Sequence, residues 1–528
     1  MDQLNFTTSE VNQKLADVIG DMYRSPVDAS NTSVFSALLS WADSNVTARA
    51  STYTNILYYD PENGNDANNG ARYSPKKNPP TSLSANTIYA LKGGTTWVVP
   101  DRIDVAANSM VTSYDEHLGR AIIDGSVTAT STKDANAFYR VFRVGADNFT
   151  LANLDIIGPV GADNGGRAII YTAVGGSNFK CLNNILRYKD QNGFFSRAIQ
   201  LVDDAQFTIE GNYIYNCYNP IQISTIATPT SGTLSTLSRI RFNKIQNANL
   251  QTTTYFVDNG DSITMDGTQS YDWNWNLLIS DNDISGFHEN GFDGNRSSRY
   301  IFARNEVHHA ATYSPPTACM AGSLTVPVGP TLFIGNYIHH IEGGAFGARN
   351  AQGMTIIGNI VDNCVQGVWL YAGTPTKTRV INNTFVNLRP ASTTDAAAVD
   401  VFGIYLLTGS TDTEFFNNIV HVQQSNIADF GRYLNGLYNT TTNTRIGGNI
   451  FCGPLVFAPD GLYSSKHFIP DSYYPNISDV IDLVTYKPKI PALTHQQESL
   501  GFTALDNKLS PYHVRAVGAL LSDTWKRA

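Results

Sequence analysis

The sequence predicts an all-β protein, a right-handed parallel β-helix that carries a short α-helical segment at its N-terminus. Two observations lead to this. A motif ending in Asn-x-Ile or a close relative of it recurs eleven times between residues 146 and 455. The composition is poor in charge (15% Asp, Glu, Lys and Arg) and holds 42 Gly beside many Asn and Thr. Such a mixture suits turns and strands better than long helices.

The repeats read FTLANLDI, KCLNNIL, FTIEGNYI, IRFNKI, LISDNDI, IFARNEV, LFIGNYI, TIIGNIV, VINNTF, FFNNIV and RIGGNIF. Their markers are Asn184, Asn212, Asn243, Asn282, Asn305, Asn336, Asn359, Asn383, Asn418 and Asn449, with Leu154 in the equivalent place of the first copy. The shortest steps are 23 residues (Asn282 to Asn305 and Asn336 to Asn359) and 24 (Asn359 to Asn383). The longer steps are those expected of loops inserted into a basic coil, the way a solenoid shows itself in sequence. Within FTIEGNYI, Phe207, Ile209 and Ile214 are expected to point inward and their polar neighbours outward or into the corner. Asn suits the corner for two reasons. Its side chain tolerates left-handed backbone angles, and amides on successive coils hydrogen-bond along a ladder.

The chain divides by pattern into residues 1–50, 51–145, 146–455 and 456–528: a helical attachment or oligomerisation segment, a lead-in and cap, the coils, and a closing segment. In the first of these, Thr7 and Glu10 make a capping box, and Val11, Leu15, Val18 and Met22 share one face. A second short helix is expected over Ser33 to Ala42. Five scattered cysteines (Cys181, Cys217, Cys319, Cys364, Cys452) with no CxxC argue for buried, reduced thiols. A net charge of −9 gives no electrostatic footprint for nucleic acid or an anionic membrane. No signal peptide and no membrane-spanning stretch is read, so synthesis in a cytoplasm is expected.

From Leu57 the chain reads LYYDPENGNDANNGARYSPKKNPPTSL, then LKGGTTWVVPDRIDV and NSMVTSYDEHLGRAIIDG, and its tail reads NKLSPYHVRAVGALL. These stretches resemble the opening and closing segments of pectate-lyase-like right-handed β-helix proteins, over roughly residues 57–520. The N-terminal LNFTTSEVNQKLADVI resembles the attachment segment of bacteriophage tail fibres and tailspikes. Together they resemble a tailspike of the polysaccharide-depolymerase type. That resemblance implies a homotrimer on the virion tail, bound to a tail or baseplate protein through its N-terminus, that binds and cleaves bacterial capsule or O-antigen polysaccharide. One departure bears on the trimer: only some 70 residues follow the last clear repeat, where tailspikes often carry a C-terminal β-sandwich.

Parallel strands stack about 4.8 Å apart, so side chains of successive coils form columns. Aligning IQLV, IQIS, ITMD and NGFD places Val202, Ser224, Asp266 and Asp293 in one outward column. Asp266 and Asp293 would then face each other from neighbouring coils, about 5–6 Å apart. Carboxylates that close push their pKa values apart, which is what a glycosidase needs of its acid and its base or nucleophile. His288 and Glu289 complete the candidate catalytic set. Asp261, Trp273, Trp275, Arg296 and Arg299, with Asp258, surround it as candidate substrate-binding groups, the tryptophans by stacking on sugar rings. The 39-residue step from Asn243 to Asn282 is the longest insertion and is expected to wall a groove here. Asp-Gly is also a common turn dipeptide, so the bland alternative is a pair of corners.

Three functions remain open: glycan hydrolysis by the paired carboxylates, polysaccharide lysis, and receptor binding without turnover. No cofactor is expected for hydrolysis, whereas a lyase would use a base, a cation such as Arg296, Arg299 or His288, and possible Ca²⁺. His308, His309, His339 and His340 form two His-His pairs on successive coils. They are read as a polar ladder in preference to a metal site.

Overall fold

The period-2 alternation of the repeats is what the backbone adopts. The computed structural model describes residues 53–126, 139–159, 167–172, 178–189, 196–202, 206–225, 238–246, 260–267, 273–295, 297–310, 317–322, 331–372, 375–389, 402–406, 411–416, 418–423, 445–447, 449–452, 472–474, 476, 478 and 480. The chain divides into two compact units, residues 46–269 with 277–293, and residues 1–45, 270–276 and 294–528.

In the first unit each coil contributes three short strands, and each strand pairs in parallel with its counterpart one coil on. One strip runs Asn55–Tyr59, Thr87–Lys92, Met110–Tyr114, Thr150–Ala152, Phe179–Leu182, Phe207–Glu210 and Ser238–Arg241. A second runs Ala121–Asp124, Leu154–Ile157, Ile185–Arg187, Tyr213–Tyr215, Lys244–Gln246 and Asp283–Ser285. The third runs Tyr139–Val144, Arg167–Thr172, Ser196–Val202, Asn219–Thr225, Ile263–Gly267 and Asn290–Asn295. Phe207, Ile209 and Ile214 are fully buried, as their spacing predicts. They stack beneath equivalent apolar residues, Phe179 and Cys181 before Phe207 and Ile209, and Leu186 before Ile214. Each such side chain contributes on the order of 1.5–3 kcal/mol of burial free energy. All five cysteines lie inside as reduced thiols.

The second unit repeats this plan. Ser297–Ala303, Thr331–Ile334, Met354–Ile357, Arg379–Ile381, Glu414–Phe416 and Arg445–Gly447 form one strip. In two coils the other strips merge into single 13-residue strands, Tyr337–Arg349 and Ile360–Ala372.

The predicted amide ladder is present in both units. In the first, Asn184 Nδ2 donates to Asn212 Oδ1 (3.2 Å), Asn212 to Asn243 (2.9 Å) and Asn243 to Asn282 (3.0 Å). In the second it runs Asn305, Asn336, Asn359, Asn383, Asn418, Asn449, with steps of 2.9–3.1 Å. The Oδ1 atoms of Asn212, Asn243, Asn282, Asn336, Asn359, Asn383, Asn418 and Asn449 also accept the backbone N–H of the ladder residue one coil before, and Leu154, which has no amide, keeps that N–H bond to Asn184. One detail of the corner differs from expectation. The ladder asparagines are not the left-handed residues; their predecessors are. Asn183, Gly211, Phe242, Asp281, Arg304, Gly335, Gly358 and Asn382 have φ between 53° and 68°. That turn swings the following amide inward, where it satisfies buried backbone groups.

The helices predicted over Thr7 to Tyr23 and Ser33 to Ala42 lie outside the described residues, as do residues 247–259 and 268–272 of the long step before Asn282. Among the described residues no helix is long and apolar enough to cross a membrane.

Candidate active site

In the third strip of the first unit, Ile199, Leu201, Ile221, Ile223, Ile263, Met265 and Phe292 turn into the core. The alternate positions therefore belong to the outer face. The register makes Gln200, Gln222, Thr264 and Asp293 one column on that face. Val202, Ser224 and Asp266 form the next column, two residues along. Three of the four residues aligned by sequence thus share a column, and the fourth does not. Asp293 stands opposite Thr264, not opposite Asp266. A two-residue slip along the strand and one step across it set the Asp266 and Asp293 backbones roughly 8 Å apart, not 5–6 Å. The physical reason is the anchor. Phe292, the core residue of NGFD, pairs with Ile263, the first core residue of ITMD, where the alignment had set it beside Met265.

The same register brings a different pair of carboxyl groups together. Asp261 occupies the corner preceding Ile263, as Asn219 and Asn290 do before Ile221 and Phe292. It is 4% exposed. Its Oδ1 accepts the backbone N–H of Asn290 (3.1 Å) and the Asn290 amide (2.8 Å), and its Oδ2 accepts the Thr264 hydroxyl (3.1 Å). Burial and the neighbouring Glu289 carboxylate raise the Asp261 pKa to about 7, against the lowering effect of those three donors. Thr264 thereby links the buried carboxyl to the Asp293 column.

His288 and Glu289 lead into this corner. The His288 backbone N–H donates to Gly260 O at 3.0 Å. Gly260 has no room for a side chain: a Cβ there would lie 2.8 Å from the His288 Cβ. His288 is half-buried, and burial lowers its pKa from 6.5, so its imidazole is held neutral. Its Nε2 is buried with no hydrogen-bond partner among the described residues. The Oε1 atoms of Gln200 and Gln222 are likewise buried acceptors without a donor there.

Of the predicted residues, the structure brings His288 and Glu289 to the Asp261 corner and sets Asp293 opposite Thr264, with Asp266 two residues further along the strand from Thr264. Trp273 and Trp275 lie on the strand Trp273–Ser280, and Arg299 on Ser297–Ala303. Those tryptophans and Arg299 belong to the second unit. Arg296 and Asp258 lie outside the described residues. Sequence reasoning missed Thr264, Asn290 and the two glutamines. The signal was present in the recurring Asn/Asp-x-Ile/Phe of NPI, DSI and NGF, which fixes the register that the Asp-Gly pairs obscure. Among the described residues no three His, Cys, Asp or Glu side chains converge on a metal position.

Residues 262–451 match the family model described as a right-handed β-helix region. The fold is a right-handed parallel β-helix. No curated protein matches the chain by sequence. Solved structures similar to it include a mannuronic acid specific polysaccharide family 6 lyase from human gut microbiota (12% identity, 86% of this chain and 98% of that one, TM-score 0.49). The Dettilon tailspike protein gp208 is similar at 13% identity over 74% of this chain and 68% of that one, TM-score 0.46. A GH136 lacto-N-biosidase from Eubacterium ramulus is similar at 10% identity over 80% and 68%, TM-score 0.41. These likenesses do not bear on the reaction. The fold rests on the strand pairings and the matched family description.

Proposed function

We propose that the chain is a tailspike-type depolymerase that cleaves bacterial surface polysaccharide by hydrolysis, with carboxyl groups of the third strip as acid and base. The observation that carries this reading is the Asp261–Glu289 pair, in which a buried carboxyl titrates near neutrality beside a second, more exposed one. A glycosidase needs one protonated and one ionised carboxyl group at the same pH, and unequal burial of close neighbours supplies both. In this scheme the proton that burial and the neighbouring Glu289 charge hold on Asp261 near neutrality passes through Glu289 to the glycosidic oxygen. Asp293, less buried, activates the water. Asp266, two residues along the strand and roughly 8 Å from Asp293 by backbone register, is the alternative partner.

The second reading is a lyase, favoured by His288: a neutral imidazole whose buried Nε2 has no hydrogen-bond partner among the described residues is a candidate base beside Glu289. Attachment to the virion tail through residues 1–50 and a homotrimeric state belong to the same proposal and rest on the N-terminal sequence resemblance.

The test is incubation with a panel of purified capsules and O-antigens, read by gel filtration, reducing-end assay and ultraviolet absorbance. Hydrolysis is expected to yield shortened chains with new reducing ends and no new absorbance. Absorbing products would establish the lyase, and binding without shortening would reduce the protein to an adhesin.

A further inference from the structure

The second unit carries a cluster that glycan cleavage does not use. His308 pairs with His339 in register, and Asp362 follows one coil further on. The next residue of each coil (His309, His340, Asn363, and Asn387 beyond them) turns the corner in the left-handed conformation, with φ of 52°, 56°, 55° and 54°. In two coils Asn makes that turn, so the backbone does not demand His at the other two.

The four rings form two layers. His308 and His339 stack with centroids 4.9 Å apart and planes 4° apart, and His309 and His340 do so at 5.0 Å and 3°. Within each layer the rings are nearly perpendicular and their Nδ1 atoms meet, at 2.6 Å for His308–His309 and 2.7 Å for His339–His340. Glu306 Oε1 lies 3.0 Å from His339 Nε2. That carboxylate fixes the proton on Nε2 and leaves a lone pair on His339 Nδ1, the arrangement by which carboxylates orient metal-binding imidazoles. His309 and His340 are solvent-exposed, so the cluster is open to ions.

We propose that this imidazole quartet binds one late first-row divalent cation through the paired Nδ1 atoms, with Ni²⁺ and Cu²⁺ preferred over Zn²⁺. The preference follows from the bite. Two nitrogens about 2.1 Å from a metal stand about 3.0 Å apart at a 90° angle and about 3.4 Å apart at the tetrahedral angle. A layer at 2.6–2.7 Å reaches the first by opening a few tenths of an ångström and the second only by opening more than twice as far. Tetragonal and octahedral ions want 90° angles, whereas Zn²⁺ wants the tetrahedral one. His340 frees its Nδ1 by moving that proton to Nε2. No three ligands stand ready around one point, so water or the Asp362 carboxylate completes the shell. Two dications held by neutral imidazoles in the two layers, whose rings stack 4.9–5.0 Å apart, would repel with little charge to offset them, so the proposal is of one.

The experiment is Ni²⁺ and Zn²⁺ titration of the tag-free full-length chain by calorimetry, with Cu²⁺ electron paramagnetic resonance on the same protein. The expected result is one Ni²⁺ per chain, at least tenfold tighter than Zn²⁺, and a Cu²⁺ spectrum split by at least two imidazole nitrogens. The double variant His309→Asn with His340→Asn keeps the corner conformation and should weaken Ni²⁺ at least thirtyfold without moving the unfolding midpoint. Absence of saturable Ni²⁺ binding, two equivalents, or unchanged affinity in the variant overturns the proposal. If the variant unfolds, the wild-type Cu²⁺ spectrum decides alone: no nitrogen splitting, no site.

Discussion

Truncating one rung of the amide ladder tests how the coils hold their corners. Asn359 Oδ1 accepts the Asn336 backbone N–H at 2.8 Å and the Asn336 amide at 2.9 Å. Its Nδ2 donates to Phe333 O at 3.1 Å, to Ile357 O at 3.2 Å and to Asn383 Oδ1 at 2.9 Å. In Asn359→Ala, the Asn336 amide keeps Phe302 O and Asn383 Oδ1 keeps the backbone N–H of residue 359. The Asn336 backbone N–H and the Phe333 carbonyl lose these partners in an interior closed to water. An orphaned buried group costs about 1–3 kcal/mol, so the variant should lose about 2–4 kcal/mol. Urea unfolding followed by tryptophan fluorescence measures the loss, and hydrogen exchange at Asn336 localises it. Asn359→Asp keeps the acceptors but loses both donors while ionised. Its deficit should shrink on acidification as the carboxyl gains a proton to donate. A loss below about 0.5 kcal/mol in Asn359→Ala would show that the ladder is a consequence of the fold and not a support of it.

Other expectations follow from single sites. The Asp261 pKa is raised in the folded protein from 3.8 to about 7, so its contribution is most favourable below about 4 and is lost as pH rises towards 7. Asp261→Asn should therefore gain stability relative to the parent across that window, seen in unfolding midpoints measured from pH 4 to 8. Burial lowers the His421 pKa to about 4 while its Nδ1 accepts the Asn387 N–H. Stability should fall as pH drops from about 6.5 to about 4, and His421→Gln should flatten that segment of the profile. Glu414 and Arg379 form an ion pair at 3.0 Å with both side chains 5% exposed. Glu414→Ala should cost about 3–5 kcal/mol, because it removes a carboxylate that faces a buried guanidinium. Gly260→Ala should displace His288 and lower turnover more than it lowers stability, read as kcat against the unfolding midpoint.

The fold was legible because the solenoid demands one residue type at one place. A side-chain amide both accepts and donates in a column, so Asn184 through Asn449 mark the coils of the repeat region, with Leu154 in the equivalent place one coil before Asn184. The conformation of the corner was not legible, since the left-handed residue before each marker varies freely among Asn, Gly, Phe, Asp and Arg. The active-site register was half legible. Val202, Ser224 and Asp266 align because their core residues have identical spacing. Asp293 slipped because aligning on Asp-Gly ignored the core position of Phe292, and in a strand two residues preserve the face while changing the neighbour. Asp261 read as a peripheral group because its significance comes from burial and from Glu289 across the corner, neither of which a linear pattern reveals.

Replacing Glu289 by Gln and Asp293 by Asn, each assayed for new reducing ends on the glycan that the parent shortens, tests the central proposal most directly. Each variant should keep its unfolding midpoint and still bind the glycan, while kcat falls about 100-fold or more, as loss of a general acid or base does. Full turnover in both would place the chemistry elsewhere on the solenoid.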